Sequence, residues 1–236
     1  MRTRIVVAVL GTALLAGCSM LPQMPEPVPT SVVPPVGTAG SQLSPDGFDA
    51  VQRMAVRIRN VGCGTLSTGS GFAIDEHTLV TNKHVVADSA ELEIATYDGR
   101  DVRATAASTA QLADLAIIVT AEPLPYAPQL ADTDPVQGDP VTVVGYPLGG
   151  ELTVTDGTIV GAEEDPLQAT LGTVLITDAQ VEPGSSGSAV LDADGRVVGV
   201  VYAKSQSGYS YVVPVSTLKA MLNDTSAFSP APTCTG

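Results

Sequence analysis

Histidine is nearly missing from this chain: 236 residues hold two, His77 and His84. With the three cysteines they form no close Cys/His cluster, so no metal site of the zinc type is expected, and no cofactor. Basic residues are scarce too, 11 Lys and Arg against 25 Asp and Glu, for a formal net charge of −14. Without a basic patch to meet phosphates, nucleic acid is excluded as a partner. The acidity favours solubility and says little about the fold. Helical periodicity is rare, and no internal repeat of usable strength recurs.

What is present begins at the N-terminus. Arg2 and Arg4 precede the apolar run Ile5 to Leu15, which falls short of the about 20 residues a membrane span needs. The arrangement reads as a secretory signal peptide over residues 1–17. Its end, Leu15-Ala16-Gly17-Cys18, resembles the bacterial lipobox, which implies that Cys18 is lipidated and becomes the first residue of the mature protein. The competing reading is an ordinary signal peptide with an incidental cysteine. A lipid with more than one acyl chain would anchor the protein stably to the bacterial cell membrane, on its extracytoplasmic side. Residues 18–47 follow as a tether, with seven prolines between Met20 and Pro45 that favour an extended, unpacked chain. The folded domain is placed at residues 48–236. With Cys18 lipidated, Cys63 and Cys234 are left as an even pair, which outside the cytoplasm is expected to be oxidised. That bond would tie the start of the domain to the end of the chain.

The middle of the chain reads as short strands and turns. Glu91 to Tyr97 alternates at period two, Asp98-Gly99 supplies a turn, and Asp101 to Thr105 alternates again, the pattern of a hairpin. Leu115 to Val119, Val141 to Val144 and Val174 to Thr177 are short β-branched runs. Val190-Leu191, the turn Asp194-Gly195 and Arg196 to Val201 form a second hairpin candidate, and Tyr209 to Val213 closes the series. Regular short strands with turn signals predict an all-β sandwich or barrel. One helix is expected, Val215 to Leu222, with Ser216 as its N-cap and Leu218, Met221 and Leu222 on one face.

Glu182-Pro183-Gly184-Ser185-Ser186-Gly187-Ser188 has the composition of a connecting loop. For one of its serines to act as a nucleophile, a base must take the hydroxyl proton, a carboxylate must orient the base, and backbone N–H groups must receive the developing oxyanion. Only the two histidines are candidates for the base. His77, in the polar stretch Asp75 to Thr78, is expected in an exposed turn. His84 lies in an apolar setting after a strand-like run, and its bland reading is a buried, satisfied histidine.

Three segments then carry a resemblance. Gly69 to Val86 is similar to the segment around the catalytic histidine of trypsin-like serine proteases of the bacterial HtrA/Do type. Ala113 to Val119 resembles their Asp-Leu-Ala segment, and Thr177 to Val201 their nucleophile segment with its following hairpin. The order His, Asp, Ser is that of the chymotrypsin fold. The positions of Cys63 and Cys234, the Pro-rich tether and the acidic composition further resemble actinobacterial membrane-anchored members of the MarP kind. The resemblance implies two six-stranded antiparallel β-barrels, about 48–125 and 138–214, with a closing helix at 215–222. It implies a serine endopeptidase acting on proteins or peptides through His84, Asp114 and Ser186, with the backbone N–H groups of Gly184 and Ser186 as the oxyanion hole.

By the same pattern the S1 pocket would be framed by Gln180, Val181, Glu182 and Pro183 on one side and by Val201, Tyr202, Ala203 and Lys204 on the other. With no acidic residue at position 180, a neutral P1 residue is expected. A glutamyl endopeptidase is the alternative should Lys204 or a hydroxyl reach the pocket. Ser185 stands where trypsin-type zymogens carry the Asp that pairs with a new N-terminal amine, so that activation is not expected. No PDZ domain is expected after the closing helix. Two other functions compete: an inert protease-like scaffold binding peptides or envelope partners through the same cleft, and a structural β-rich lipoprotein.

Overall fold

The computed structural model describes residues 48–167 and 172–234. The signal peptide, Cys18 and the tether at 18–47 lie outside the described residues. Two closed six-stranded antiparallel barrels make up the fold. The first contains β1 (Ala55–Gly62), β2 (Leu66–Ala73), β3 (Thr78–Thr81), β4 (Ser89–Thr96), β5 (Asp101–Ala110) and β6 (Ala116–Thr120). Its neighbours run β5-β4-β1-β2-β3-β6, and β6 returns to β5. The second contains β7 (Pro140–Gly145), β8 (Thr153–Glu164), β9 (Thr173–Thr177), β10 (Ala189–Leu191), β11 (Val197–Lys204) and β12 (Ser210–Pro214), closed by pairing of β7 with β10. A last strand, β13 (Phe228–Pro230), adds to the outside of β5.

The two hairpins read from turn signals are present: β4 pairs with β5, and β10 with β11. Alternation sets the faces. In β1, Ile58 points inward while Arg57 and Arg59 face solvent. Apolar side chains then gather in three places. Val56, Ile58, Leu79, Val85, Ile94 and Ile118 fill the first barrel. Val143, Ile159, Leu175, Val190, Val201 and Val212 fill the second. A third cluster joins them: Phe72, Val80 and Leu115 of the first barrel meet Val144, Tyr146, Val200 and Val213 of the second, with Leu218 of the closing helix. The barrels therefore share an apolar interface, and the loops at its edge are held against each other.

The closing helix, α3 (the third helix after α1, Ala50–Arg53, and α2, Lys83–Val86), spans Val215–Asn223. Its cap corrects the expectation for Ser216. The N-cap position is Pro214, which gives no side-chain cap. Ser216 sits two residues after the cap, where its N–H and Oγ both reach the Asp134 carboxylate, at 2.8 and 2.6 Å. An acidic residue between the barrels thus meets the N–H groups that the helix leaves open. Cys63 and Cys234 form a disulfide with a Cα–Cα distance of 5.7 Å across 171 positions of sequence. It lies where the tail, after β13, runs parallel to β4 at Ser89 and Thr233.

Candidate active site

The site is assembled at the barrel interface from one helix turn and two loops. β3 ends at Thr81, Asn82 breaks the strand with extended backbone, and α2 begins, which lifts His84 out of the sheet with its side chain half exposed. Val85 and Val86 anchor that turn in the first barrel. Asp114 precedes β6 and is 5 % exposed. Its Oδ1 accepts the backbone N–H of His84 at 3.0 Å, and its Oδ2 lies 2.5 Å from His84 Nδ1. Asn82 Nδ2 donates to the Asp114 carbonyl at 2.7 Å, so the carboxylate is tied to the same turn by its main chain. A buried carboxylate needs donors on its oxygens; here the histidine supplies one to each.

Ser186 sits in the loop before β10, partly exposed. Its carbonyl accepts the Ser70 N–H at 2.7 Å, and the Gly187 N–H donates to Val201 at 2.8 Å. Gly187 has φ +87°, and a Cβ there would stand 2.0 Å from the Ser70 carbonyl and 2.5 Å from Thr81 Oγ1. That packing sets the serine loop directly beside the end of β3, three residues before His84. Just upstream, Glu182 to Ser185 form a turn closed by Ser185 N–H to Glu182 O, 2.9 Å, with Gly184 at φ +96°. The Pro183 carbonyl accepts the Leu148 N–H at 2.6 Å. In a planar trans peptide the next N–H points the opposite way, so the Gly184 N–H faces away from Leu148. Among the described residues neither the Gly184 nor the Ser186 N–H has a protein acceptor. A side chain at position 184 would also meet Leu148 N at 2.8 Å, so both the turn and the close approach require glycine.

His77 is in an exposed turn, held by Asp75 and by the Thr120 carbonyl, on another edge of the first barrel. The residues read as S1 walls divide. Val181, Val201 and Tyr202 point their side chains into the cores. The Tyr202 hydroxyl donates to buried Asp165 at 2.6 Å, and burial with that bond pushes its ionisation far up. Gln180 is exposed and bonds the Asp178 and Gly208 carbonyls. Lys204 is paired with Glu182 at 3.1 Å. Ala203 is half-buried and Pro183 exposed. Sequence reasoning passed over Ser70, Asn82 and the Tyr146–Gly149 turn; the Gly-Ser-Gly run at 69–71 was their one signal. Among the described residues no cluster of three or more His, Cys, Asp or Glu could hold a metal ion.

Residues 69–200 match the family model described as trypsin-like peptidase domain. The chain is 33% identical over 165 residues to mitochondrial serine protease HTRA2 of Bos taurus, covering 67% of this chain and 36% of that protein. To serine protease Do-like HtrA of Bacillus subtilis it is 29% identical over 174 residues, 66% of this chain and 39% of that one. The chain thus spans less than half the length of these curated relatives. Among solved structures, the active form of the Rv3671c protease from M. tuberculosis superposes with a TM-score of 0.70 at 28% identity, covering 79% of this chain and 88% of that one.

Proposed function

Since the chain belongs to the trypsin-like peptidase family, with HtrA-type relatives, we propose that it is a serine endopeptidase working through His84, Asp114 and Ser186. The observation that carries this reading is the buried Asp114 carboxylate engaging both the backbone N–H and the Nδ1 of His84, with the Gly184 and Ser186 N–H groups of the serine loop left without a protein acceptor among the described residues. Asp114 keeps the Nδ1 proton in place and leaves Nε2 as the base. Nε2 takes the Ser186 proton as Oγ attacks a peptide carbonyl. The N–H groups of Gly184 and Ser186 receive the oxyanion, and the imidazolium then protonates the leaving amine. Water, activated by the same imidazole, hydrolyses the acyl-enzyme. No step calls for a metal or cofactor.

The substrates are proteins or peptides with a neutral P1 residue. Lys204, the one cation among the S1 candidates, is matched by Glu182, which argues against recognition of a glutamate there. The protein acts outside the cytoplasm, held by lipid on Cys18 and spaced from the membrane by the tether at 18–47; the Cys63–Cys234 disulfide suits that oxidising setting. A fluorophosphonate probe tests the chemistry. The folded protein should be labelled at Ser186 and the Ser186→Ala variant should not. An unlabelled, folded wild type would leave the inert scaffold as the better reading.

A further inference from the structure

Ser70 is a fully buried hydroxyl for which the reaction above has no use. All of its polar atoms reach out of its own strand. Its N–H donates to the Ser186 carbonyl at 2.7 Å, and its carbonyl accepts the Thr81 hydroxyl at 2.6 Å. Its Oγ donates to the Gly184 carbonyl and accepts the Tyr146 N–H, both at 2.8 Å. A hydroxyl has one proton to give and lone pairs to accept with, so these two bonds fix its direction. The Gly184 backbone is therefore gripped at both ends. Leu148 N–H holds the carbonyl before it and Ser70 Oγ the carbonyl after it, and both grips rest on the Tyr146–Gly149 turn.

Resting on the peptidase reading, we infer that Ser70 is a positioning residue: its hydroxyl, braced by the Tyr146 N–H, fixes the peptide after Gly184 and, together with the Leu148 grip on the peptide before it, holds Gly184 at the φ that keeps its N–H aimed at the oxyanion. Glycine is the residue that most needs such a grip. Without a Cβ it has no steric preference for φ +96°, and its flanking peptides rotate cheaply. Removing the Oγ leaves the buried Gly184 carbonyl without that donor and frees it to turn toward another. The Ser186 carbonyl keeps its bond to the Ser70 main chain in any variant, so the effect should fall on the oxyanion hole and spare the position of the nucleophile.

The test is Ser70→Ala in the complete extracytoplasmic chain, assayed with a fluorogenic alanyl peptide amide, a peptide boronic acid and the matching peptide carboxamide. Removing an oxyanion donor outright costs about 10²–10³ in kcat; here the donor stays and its alignment loosens, so kcat should fall about ten- to thirtyfold with KM within twofold. Boronate affinity should fall by the same factor, and carboxamide affinity should not. Ser70→Cys, near in size with a weaker donor, should show the same split at smaller amplitude and covers the case in which the alanine variant does not fold. An active wild type whose variants keep kcat, or lose boronate and carboxamide affinity equally, overturns the inference alone. A wild type inert toward both the amide and the boronate overturns the peptidase reading and this inference with it.

Discussion

Asp114→Asn changes one atom of the site and should nearly abolish turnover, for a reason set by two contacts. Oδ1 of Asp114 faces the His84 backbone N–H, which can only donate, and Oδ2 faces His84 Nδ1. An asparagine must keep its oxygen against the backbone N–H, because the reverse places two donors face to face in a buried spot. Its NH2 then faces Nδ1, which must present a lone pair to accept. The ring proton moves to Nε2, the atom proposed to take the Ser186 proton. The base is thus held in the wrong tautomer while size and packing stay the same. In the serine-protease template this substitution costs about 10⁴ in kcat, or about 5.5 kcal/mol of barrier. The assay is kcat and KM on a fluorogenic peptide, with thermal melting as a control for folding. Turnover within tenfold of wild type in a folded Asp114→Asn variant would refute both the tautomer argument and the role given to Asp114.

Four further outcomes are expected. Ser186→Ala and His84→Ala should each lower kcat by several orders of magnitude, the double variant should be little worse, and His77→Ala should leave kcat alone, all read in one kinetic series. Reducing the Cys63–Cys234 bond should lower the melting temperature, since closing a loop across 171 positions contributes about 5 kcal/mol at most in the chain-entropy treatment; unchanged melting would show that the tail is no clamp. Burial pushes the Tyr146 phenol up to about 12, so its folded pKa exceeds its unfolded value near 10. Its contribution is complete below pH 10 and is lost as pH rises towards 12; Tyr146→Phe should flatten that loss in alkaline melts. Cys18→Ala should move the protein out of the detergent phase in a partition assay, and a mature N-terminus found elsewhere by mass spectrometry would rule out lipidation there.

The strands legible in the sequence were those with clean alternation or a marked turn. β4 and β5 carry both, and so do β10 and β11 around Asp194-Gly195. β8 was passed over, although it is the longest strand described, Thr153–Glu164. Its β-branched residues, Thr153 to Thr155 and Thr158 to Val160, are interrupted by Asp156, Gly157 and Gly161. Gly157 is there because the Ala179 backbone crosses it: a Cβ would stand 2.5 Å from Ala179 N. β2 is hidden for the same reason, with Gly69 and Gly71 inside it. Propensity reads what a side chain prefers and cannot see a strand whose composition is set by what passes over it. The Ser216 cap misled in the complementary way, since the group that meets the helix N-terminus, Asp134, is 82 positions distant in sequence.

The candidate triad was legible because its chemistry needs particular side chains, and the resemblance supplied the order in which such a fold places them. The machinery around it was not, because most of that machinery is main chain. The proposed oxyanion donors are N–H groups, the Pro183 carbonyl is held by another N–H, and the loop is placed by glycines at 145, 184 and 187, where any side chain would collide. A Cβ at Gly145 would stand 1.9 Å from Ser188 Oγ and 2.8 Å from Ser70 Oγ, so the end of β7 can lie against both only when bare. These contacts join residues of the first barrel to residues of the second, and the shared cluster of Phe72, Val80, Leu115, Val144 and Val200 fixes how far apart they lie. The apolar interface does the coarse positioning and the glycine contacts do the fine positioning. A larger residue at Gly145 or Gly187 should therefore disturb the site before it disturbs either barrel's own interior.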